Sequence, residues 1–379
     1  MKLLHLSDLH LGRKIHGLSY LPDQEMILNQ VLMLISEEKI TAVLIAGDVY
    51  DKQIPSADAV TLFDWFLTEL ARLSCSVFLI SGNHDSPERL QFGSSLMAKQ
   101  NIHIAGIFDG TLKKAVLRDE YGTLNVYMLP FARYSAILAA LPESEKMPES
   151  LTDAVSQVVQ NAAVCPDERN IILYHGFVVG GTSELETSES ELQLGGMQLV
   201  NADVFEPFDY TALGHIHKPQ WVKKNKIRYS GSLLKYSFSE ASQTKSVTVI
   251  ELKEKGDISF TTHELVPDRD MRVIRGPYAA LMEHAEESED LVRAELTDDE
   301  IIPYALENLR THYKNILELQ YIRRMERTAA STTEIASVQN KSMMELLDEF
   351  FTSVYQFNMN ETPGAEALLK KIIKEAEEI

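Results

Sequence analysis

Five short segments of the sequence carry acidic, amide and imidazole side chains, and each directly follows an apolar run. They are Asp8-Leu9-His10, Gly47-Asp48, Gly82-Asn83-His84-Asp85, His175-Gly176 and Gly214-His215-Ile216-His217. Their mixed oxygen and nitrogen donors suit two divalent ions such as Mn²⁺ or Fe²⁺ better than an all-thiolate set would. The candidate ligands are Asp8, His10, Asp48, Asn83, His175, His215 and His217.

A single fragment of this kind is usually only a turn with a solvated polar side chain. Six other histidines fit that description and are expected to be ordinary strand, loop or helix residues: His5, His16, His103, His263, His284 and His312. Five fragments, each at the end of an apolar run, are improbable as coincidence. The i, i+2 spacing in Asp8-x-His10 and His215-x-His217 also keeps both side chains on one side of an extended chain. We therefore favour a binuclear metal site.

The elements that must position these side chains alternate between strand and helix. Apolar, β-rich runs at 2–7, 42–46, 77–81, 125–129, 171–174 and 210–213 predict strands. Helical periodicity over 22–38 and 56–72 connects the first three, and 227–230, 245–251 and 258–263 add further strands. This alternation is typical of an α/β layered fold. In open α/β sheets, ligands gather outside the carboxyl ends of the strands, so the five segments can converge there.

The pattern changes near residue 266, which divides the chain into predicted domains. Residues 1–266 form the main α/β domain, and 267–326 form a small α+β unit with strands at 271–275 and 291–296 and helices at 278–286 and 301–321. A Ser/Thr/Ala-rich linker follows at 327–340. Two amphipathic helices are expected within 341–379, with apolar residues at Met343, Leu347, Phe350, Phe351, Val354, Leu369 and Ile372. These stripes bind a partner, or alternatively fold back as a terminal helical hairpin.

The charge balance limits how such a protein can hold nucleic acid. The chain has 379 residues, a net charge of −20 and a pI of about 5.0, which argues against binding through bulk positive charge. Positive residues near the predicted site are Arg13, Lys14, Lys218, Lys223, Lys224 and Lys226. They are expected to lie beside the metals and follow a phosphate backbone, although a run of this kind is as often a solvated hairpin.

The composition indicates a cytoplasmic protein. There is no apolar run of 18 residues that could span a membrane, and Asp8 and His10 come too early for a secretory signal. Cys75 and Cys165 have neither metal-ligand nor disulfide spacing.

In type and order, the five segments resemble the motifs of the calcineurin-like metallophosphoesterases. That resemblance implies a four-layer sandwich in which two mixed β-sheets are flanked by helices. It also implies one ion on Asp8, His10, Asp48 and His217, and a second on Asp48, Asn83, His175 and His215. The ions would be Mn²⁺, or alternatively Mg²⁺ or Fe²⁺, and would activate water for attack on phosphorus. His84 is the residue that the family uses near the scissile phosphate.

Further segments resemble the SbcD branch of this family, over essentially the whole chain. They include Leu6–Gly12, Gly47–Asp51, Leu129-Pro130-Phe131, Ala212–Gln220, Tyr229–Ser232 and Ser237–Glu240. The branch implies an exonuclease and endonuclease that cuts DNA ends and hairpins in DNA repair. It implies two nuclease subunits, themselves a homodimer, with two SbcC ATPase subunits. The 267–326 unit would be its capping, DNA-recognition domain, and the C-terminal helices would dock on the ATPase.

Several alternatives remain open at this stage. Asp51 stands where other relatives carry histidine, and it either assists catalysis or is a turn residue. Asp85 either orients His84 or caps the helix that begins at Pro87. The chain could also be a free-standing phosphoesterase that acts on nucleotides or phosphoproteins, or an adaptor with a vestigial site. The intact ligand set counts against the adaptor.

Overall fold

The computed structural model describes residues 1–141, 147–180, 186–187, 199–283 and 288–322. The predicted linker at 327–340 and the predicted helices within 341–379 lie outside the described residues. The apolar stripe residues there, from Met343 to Ile372, are therefore not placed.

The first sheet is a six-stranded mixed sheet, most of it parallel. Its strands, in spatial order, are β16 (Ile258–Glu264), β15 (Ser246–Leu252), β1 (Lys2–Leu6), β4 (Ala42–Ala46), β5 (Ser76–Ile80) and β6 (Ile102–Ala105). Strands β1, β4, β5 and β6 run parallel, whereas β15 is antiparallel to β1. All five residues of β4 are buried, as expected for a parallel strand covered on both faces.

The second sheet is also six-stranded and mixed. Its order is β13 (Gln220–Lys223), β14 (Ile227–Tyr229), β12 (Tyr210–Gly214), β9 (Arg169–His175), β8 (Gly122–Leu129) and β7 (Lys113–Asp119). Strands β14, β12, β9 and β8 are parallel, and β13 and β7 are antiparallel edges. The parallel strands of each sheet end on the side where the predicted ligands follow.

Three buried clusters define four layers. Helices α1 (Leu21–Glu38) and α2 (Ala57–Arg72) pack their apolar faces on the first sheet. The inward faces of the two sheets meet around Leu44, Phe78 and Leu173. Helices α5 (Tyr134–Ala140) and α6 (Leu151–Asn161) cover the outer face of the second sheet. The predicted α/β sandwich of two mixed sheets flanked by helices is confirmed, although α5 and α6 were not anticipated.

The remaining small elements of the sandwich lie in its connections. Short helices α3 (Pro87–Gln91) and α4 (Ser94–Met97) follow β5, and β2 (Lys14–Ile15) pairs with β3 (Leu18–Ser19). Strand β10 (Phe177–Val179) pairs with β11 (Leu199–Asn201). Within the part of the chain that the structure describes, no helix combines the length and hydrophobicity needed to cross a bilayer.

A further sheet of three strands follows, in the order β17 (Met271–Gly276), β18 (Leu291–Leu296) and β19 (Ile316–Tyr321), with α7 (Tyr278–Glu283) and α8 (Ala305–Leu309) in its connections. Among the described residues, one compact unit contains those up to 273 together with 288–293 and 310–317, and the other contains 274–283, 294–309 and 318–322. The helix predicted over 301–321 is wrong except for α8, which spans Ala305–Leu309. Residues 313–316 form a turn in which the Ile316 N–H donates to the Tyr313 carbonyl (3.1 Å), and β19 begins at Ile316.

Candidate metal centre

The carboxyl ends of the strands bring the five polar segments to one place. The Asp8 N–H donates to the Gly47 carbonyl (3.1 Å), and the His10 N–H donates to the Asp48 carbonyl (3.0 Å). Across the two sheets, the His215 N–H donates to the Asp8 carboxylate (3.0 Å). The loops after β1 and β4 are therefore joined by backbone hydrogen bonds, and the loop after β12 is joined to them through the Asp8 carboxylate.

The first group of donors contains Asp8, His10, Asp48 and His217. The Nε2 atoms of His10 and His217 are 3.1 Å apart, and His10 Nε2 lies 3.7 Å from Asp48 Oδ2. Ligand atoms of Asp8, His10 and His217 all lie within 4.8 Å of one another. All four residues are buried.

The second group contains Asp48, Asn83, His175 and His215. Asn83 Oδ1 is 3.0 Å from His175 Nε2 and 3.0 Å from His215 Nδ1. Asp48 Oδ2 lies 3.3 Å from His175 Nε2. Asp48 is thus in contact with both groups, as a bridging ligand must be. The structure brings all seven predicted ligands together.

The donor chemistry fits a pair of divalent cations. His175 Nδ1 donates its hydrogen to the Ala46 carbonyl (2.8 Å), so Nε2 is the ring nitrogen that could bind a metal ion. Asn83 Oδ1 is an acceptor that faces this Nε2, so a proton or a metal ion must lie between the two atoms. His10 Nδ1 is buried and has no hydrogen-bond partner among the described residues. The nitrogen and oxygen set is one that Mn²⁺, Mg²⁺ or Fe²⁺ can use.

The backbone at the site is held in a conformation that most residues avoid. Positive φ angles occur at Asp8 (52°), His10 (44°), Asp48 (49°) and His215 (107°). Asp and His tolerate this region better than β-branched residues, but it still costs free energy. Glycine is required at position 82 for lack of space rather than for its φ angle, because a Cβ there would lie 2.6 Å from Asp48 Cγ. The loops are packed too closely for a side chain.

Burial and charge set the protonation of these groups. Burial lowers the pKa of His10 and lowers that of His215 to about 3, so both rings are neutral and able to ligate. Burial also opposes protonation of His175, but the Asp48 carboxylate raises its pKa to about 9. The same pairing holds the pKa of Asp48 low despite its burial. The bridging carboxylate is therefore ionised.

Comparison with known proteins decides the family. A family model described as calcineurin-like phosphoesterase matches residues 1–219, and the "Type 5 capsule protein repressor C-terminal domain" model matches 267–355. The D component of the SbcCD nuclease of Staphylococcus saprophyticus is 30% identical over 99% of each chain. The chain belongs to the calcineurin-like phosphoesterase family, in its SbcD branch. Members of this family bind divalent metals, which agrees with the two donor groups.

The similar solved structures are more distant in sequence. A dimetal phosphatase from Danio rerio has a TM-score of 0.42 and 14% identity, over 70% of this chain and 96% of its own. The protein TT1561 of Thermus thermophilus has a TM-score of 0.42 and 13% identity, over 70% of this chain and 99% of its own.

In this phosphoesterase, His84 lies beside the first donor group. Its ring centroid is 4.8 Å from that of His10, and its backbone N–H donates to Asp48 Oδ1 (2.8 Å). His84 Nδ1 donates to the Asp51 carbonyl (3.0 Å), which leaves Nε2 as the available nitrogen. The Asp51 carboxylate accepts a hydrogen bond from Arg13 Nη1 (2.8 Å) and lies 3.9 Å from His10 Nδ1. Asp51 thus orients His84 through its backbone and Arg13 through its side chain.

Asp85 neither orients His84 nor caps the helix that begins at Pro87, the two roles considered from the sequence. Its carboxylate accepts hydrogen bonds from the N–H groups of Gly82 (2.9 Å), Val49 (3.1 Å) and Tyr50 (2.9 Å). Ser86 caps the following helix instead. Burial and the nearby Asp48 charge raise the pKa of Asp85 to about 7. Asp85 therefore ties together the loops after β4 and β5, both of which carry candidate ligands.

The basic segment corrects a second expectation. The backbone N–H of Thr211, near the start of β12, donates to the Lys226 carbonyl (2.8 Å). His215 follows the other end of that strand. Four residues of strand separate them by ~13 Å. The expected position beside the metals is therefore wrong for Lys223, Lys224 and Lys226, because the β13–β14 hairpin turns at the far end. Lys223 and Lys226 also form ion pairs with Glu206.

The other predicted DNA contacts lie nearer the centre. Arg13 pairs with Asp51 as described, and Lys14 is exposed on β2. Lys218 follows His217 and pairs with Glu186. Their role in binding DNA stays a prediction.

Several buried residues of the site were not found from the sequence. Gln24 donates to the carbonyls of Leu9 (3.2 Å) and His10 (2.8 Å), and so supports the strained loop after β1. Tyr236 donates to the Leu9 carbonyl (2.5 Å) and packs edge-on against His10. A glutamine inside a helix and a tyrosine in a loop carry no pattern that would mark them.

Proposed function

We propose that this phosphoesterase is a two-metal DNA phosphodiesterase, the nuclease subunit of an SbcCD-type DNA-repair complex. The observation that carries the proposal is the pair of buried donor groups that share Asp48. The nuclease component from Staphylococcus, which aligns over 99% of both chains, supports DNA as the substrate. We propose exonuclease and endonuclease action on DNA ends and hairpins.

The contacts described above support the following residue roles. Asp8, His10, Asp48 and His217 would hold one ion, and Asp48, Asn83, His175 and His215 the other. When bound, two divalent ions lower the pKa of water and stabilise charge on a phosphoryl group. Mn²⁺ is the proposed metal.

His84 is the proposed catalytic residue. Because the Nδ1 hydrogen is donated to the Asp51 carbonyl, Nε2 can donate a hydrogen bond to a phosphate oxygen, or a proton to the leaving oxygen, only from the imidazolium form, which carries a hydrogen on each nitrogen. The Asp48 carboxylate accepts the His84 N–H, so the residue that joins the two donor groups also fixes His84.

The net charge of −20 indicates that this chain supplies only part of the affinity for DNA. Arg13, Lys14 and Lys218 lie near the centre and would contact phosphates locally. We propose that most of the affinity comes from a partner ATPase, SbcC, in a cytoplasmic complex of two nuclease and two ATPase subunits. The unit at 267–326 would cap the DNA, and the segment at 341–379 would bind the ATPase.

The test is cleavage of end-labelled and end-blocked duplex DNA in the presence of Mn²⁺, with and without SbcC and ATP. We expect cutting of free ends and hairpins that requires Mn²⁺ and is stimulated by the ATPase. The matched control is Asp48→Asn, which should be inactive on every substrate. Hydrolysis of nucleotides or phosphopeptides without DNA cleavage would instead establish a free-standing phosphoesterase.

A further inference from the structure

A carboxylate that is not a candidate ligand lies directly behind the first donor group. Glu240 has no solvent exposure, and its Oε1 is 3.1 Å from His217 Nδ1. The other oxygen, Oε2, accepts from the Tyr236 N–H (3.3 Å). Ser237 donates to Oε1 (3.2 Å). Both oxygens are thus engaged by hydrogen-bond donors, and the carboxylate cannot turn away from His217.

Lys245 supplies the opposite charge that this buried carboxylate needs. Its Nζ lies 2.7 Å from Glu240 Oε2 and donates also to the His217 carbonyl (2.9 Å) and Gln243 Oε1 (2.8 Å). The side chain of Lys245 is only 4% exposed. An unpaired buried charge is strongly unfavourable, so the lysine keeps Glu240 ionised in this position. It also joins the carboxylate to the backbone of the histidine that it contacts.

An ionised carboxylate can only accept, so His217 Nδ1 must carry the hydrogen. The lone pair of His217 is then on Nε2, the atom that faces His10 Nε2 at 3.1 Å. The corresponding nitrogen of His175 has the neutral Ala46 carbonyl as its hydrogen-bond partner, and the Asp51 carboxylate, 3.9 Å from His10 Nδ1, is too far away for a hydrogen bond. Of these three nitrogens, that of His217 is the one within hydrogen-bond distance of a carboxylate, which strengthens the ring as a metal ligand.

We propose that Glu240, held by Lys245, is a positioning residue for His217 and sets the metal affinity of the first donor group only. The inference rests on the proposed two-metal function. Residues that support a metal-bound histidine in this way typically change affinity about 10- to 100-fold when altered. In the second donor group, His175 and His215 have Ala46, Asp48 and Asn83 as the partners described above.

The experiment is calorimetric titration of the metal-free full chain with MnCl₂. We expect two sites in the unaltered protein. In Glu240→Gln, which keeps the size of the side chain but not its charge, one site should weaken by about 10- to 100-fold and the other by less than twofold. Glu240→Asp, which keeps the charge but is too short to reach Nδ1, should give the same selective loss if the glutamine variant does not fold.

A double variant identifies which site is affected. His217→Ala should abolish the same site, and adding Glu240→Gln to it should change the remaining site by less than twofold, since both residues act at one place. The matched control is Asp119→Asn. It breaks a comparable buried pair with Arg169, at the start of β9, six residues of strand or ~20 Å from His175. It should lower thermal stability and leave both Mn²⁺ affinities unchanged.

The outcomes separate the two proposals. Fewer than two Mn²⁺ sites in the unaltered chain would overturn the two-metal function and this inference with it. Two sites there, with equal weakening of both or of neither in the Glu240 variants, would overturn only the inference and leave Glu240 as a structural residue.

Discussion

Replacement of Gly82 by alanine tests how tightly the two metal groups are built. The new Cβ would lie 2.6 Å from Asp48 Cγ and closer still to its Oδ1 and backbone nitrogen. Carbon atoms in ordinary contact are about 3.5–4.0 Å apart, so the carboxylate must retreat by about 1 Å. That displacement also breaks the bond from the His84 N–H to Asp48 Oδ1.

The expected loss follows from the position of Asp48 between both groups. A displacement of about 1 Å near reacting groups costs about 100-fold in activity. Forcing a methyl group into a packed interior costs about 1–3 kcal/mol of unfolding free energy. Because Asp48 contacts both groups, both Mn²⁺ affinities should fall together, in contrast to the selective loss expected for Glu240→Gln.

The assay is Mn²⁺-dependent hydrolysis of bis(p-nitrophenyl) phosphate, with urea unfolding of the same preparation. Gly276→Ala is the matched control, because its Cβ would meet nothing closer than a Leu281 methyl at 3.6 Å. It should keep full activity. If Gly82→Ala retained more than half of the activity and two bound ions, Asp48 would not be confined by this contact.

Three further predictions concern individual roles. Asp48→Asn should abolish activity and lower the metal content of both groups; metal analysis that still finds two ions per chain would exclude a bridge. His84→Ala should retain both ions but lose turnover by about 10²–10⁴-fold, and a loss of metal would show that His84 is a ligand. Neutralising Lys223, Lys224 and Lys226 should leave hydrolysis of the small diester unchanged, since the hairpin turn is remote. The slope of log binding constant against log salt concentration should become less steep by at most ~0.9, the value for one lost phosphate contact. The change is small because Glu206 already pairs with two of the three lysines.

The placement of the candidate ligands could be predicted because two sequence signals coincide. Buried parallel strands are continuous apolar runs, and each run stops at the residue where the chain leaves the sheet. Asp8, Asp48 and His215 all occupy that position, so the rule that ligands gather at strand ends applied directly. The fold class followed from the same runs.

The predictions that were wrong concern residues whose long-range contacts override the local sequence pattern. Residues 316–321 have apolar spacing compatible with a helix, but pairing in a three-stranded sheet makes them β19. The lysines after His217 are adjacent to it in sequence, yet a hairpin carries them to the other end of β12. Asp85 follows His84 directly, but its partners are N–H groups of Val49 and Tyr50, more than thirty residues earlier. Sequence distance does not reveal such partners.

The left-handed backbone at Asp8, His10, Asp48 and His215 has an evolutionary consequence. Each of these residues costs the folded chain about 1–2 kcal/mol relative to a relaxed conformation, a penalty that glycine escapes. Selection for catalysis keeps them; selection for stability alone opposes them. A descendant that abandoned catalysis would therefore gain stability by changing these positions first, most readily to glycine. Decay of the site in relatives should accordingly be ordered, with the strained ligands lost before Asn83 and His175.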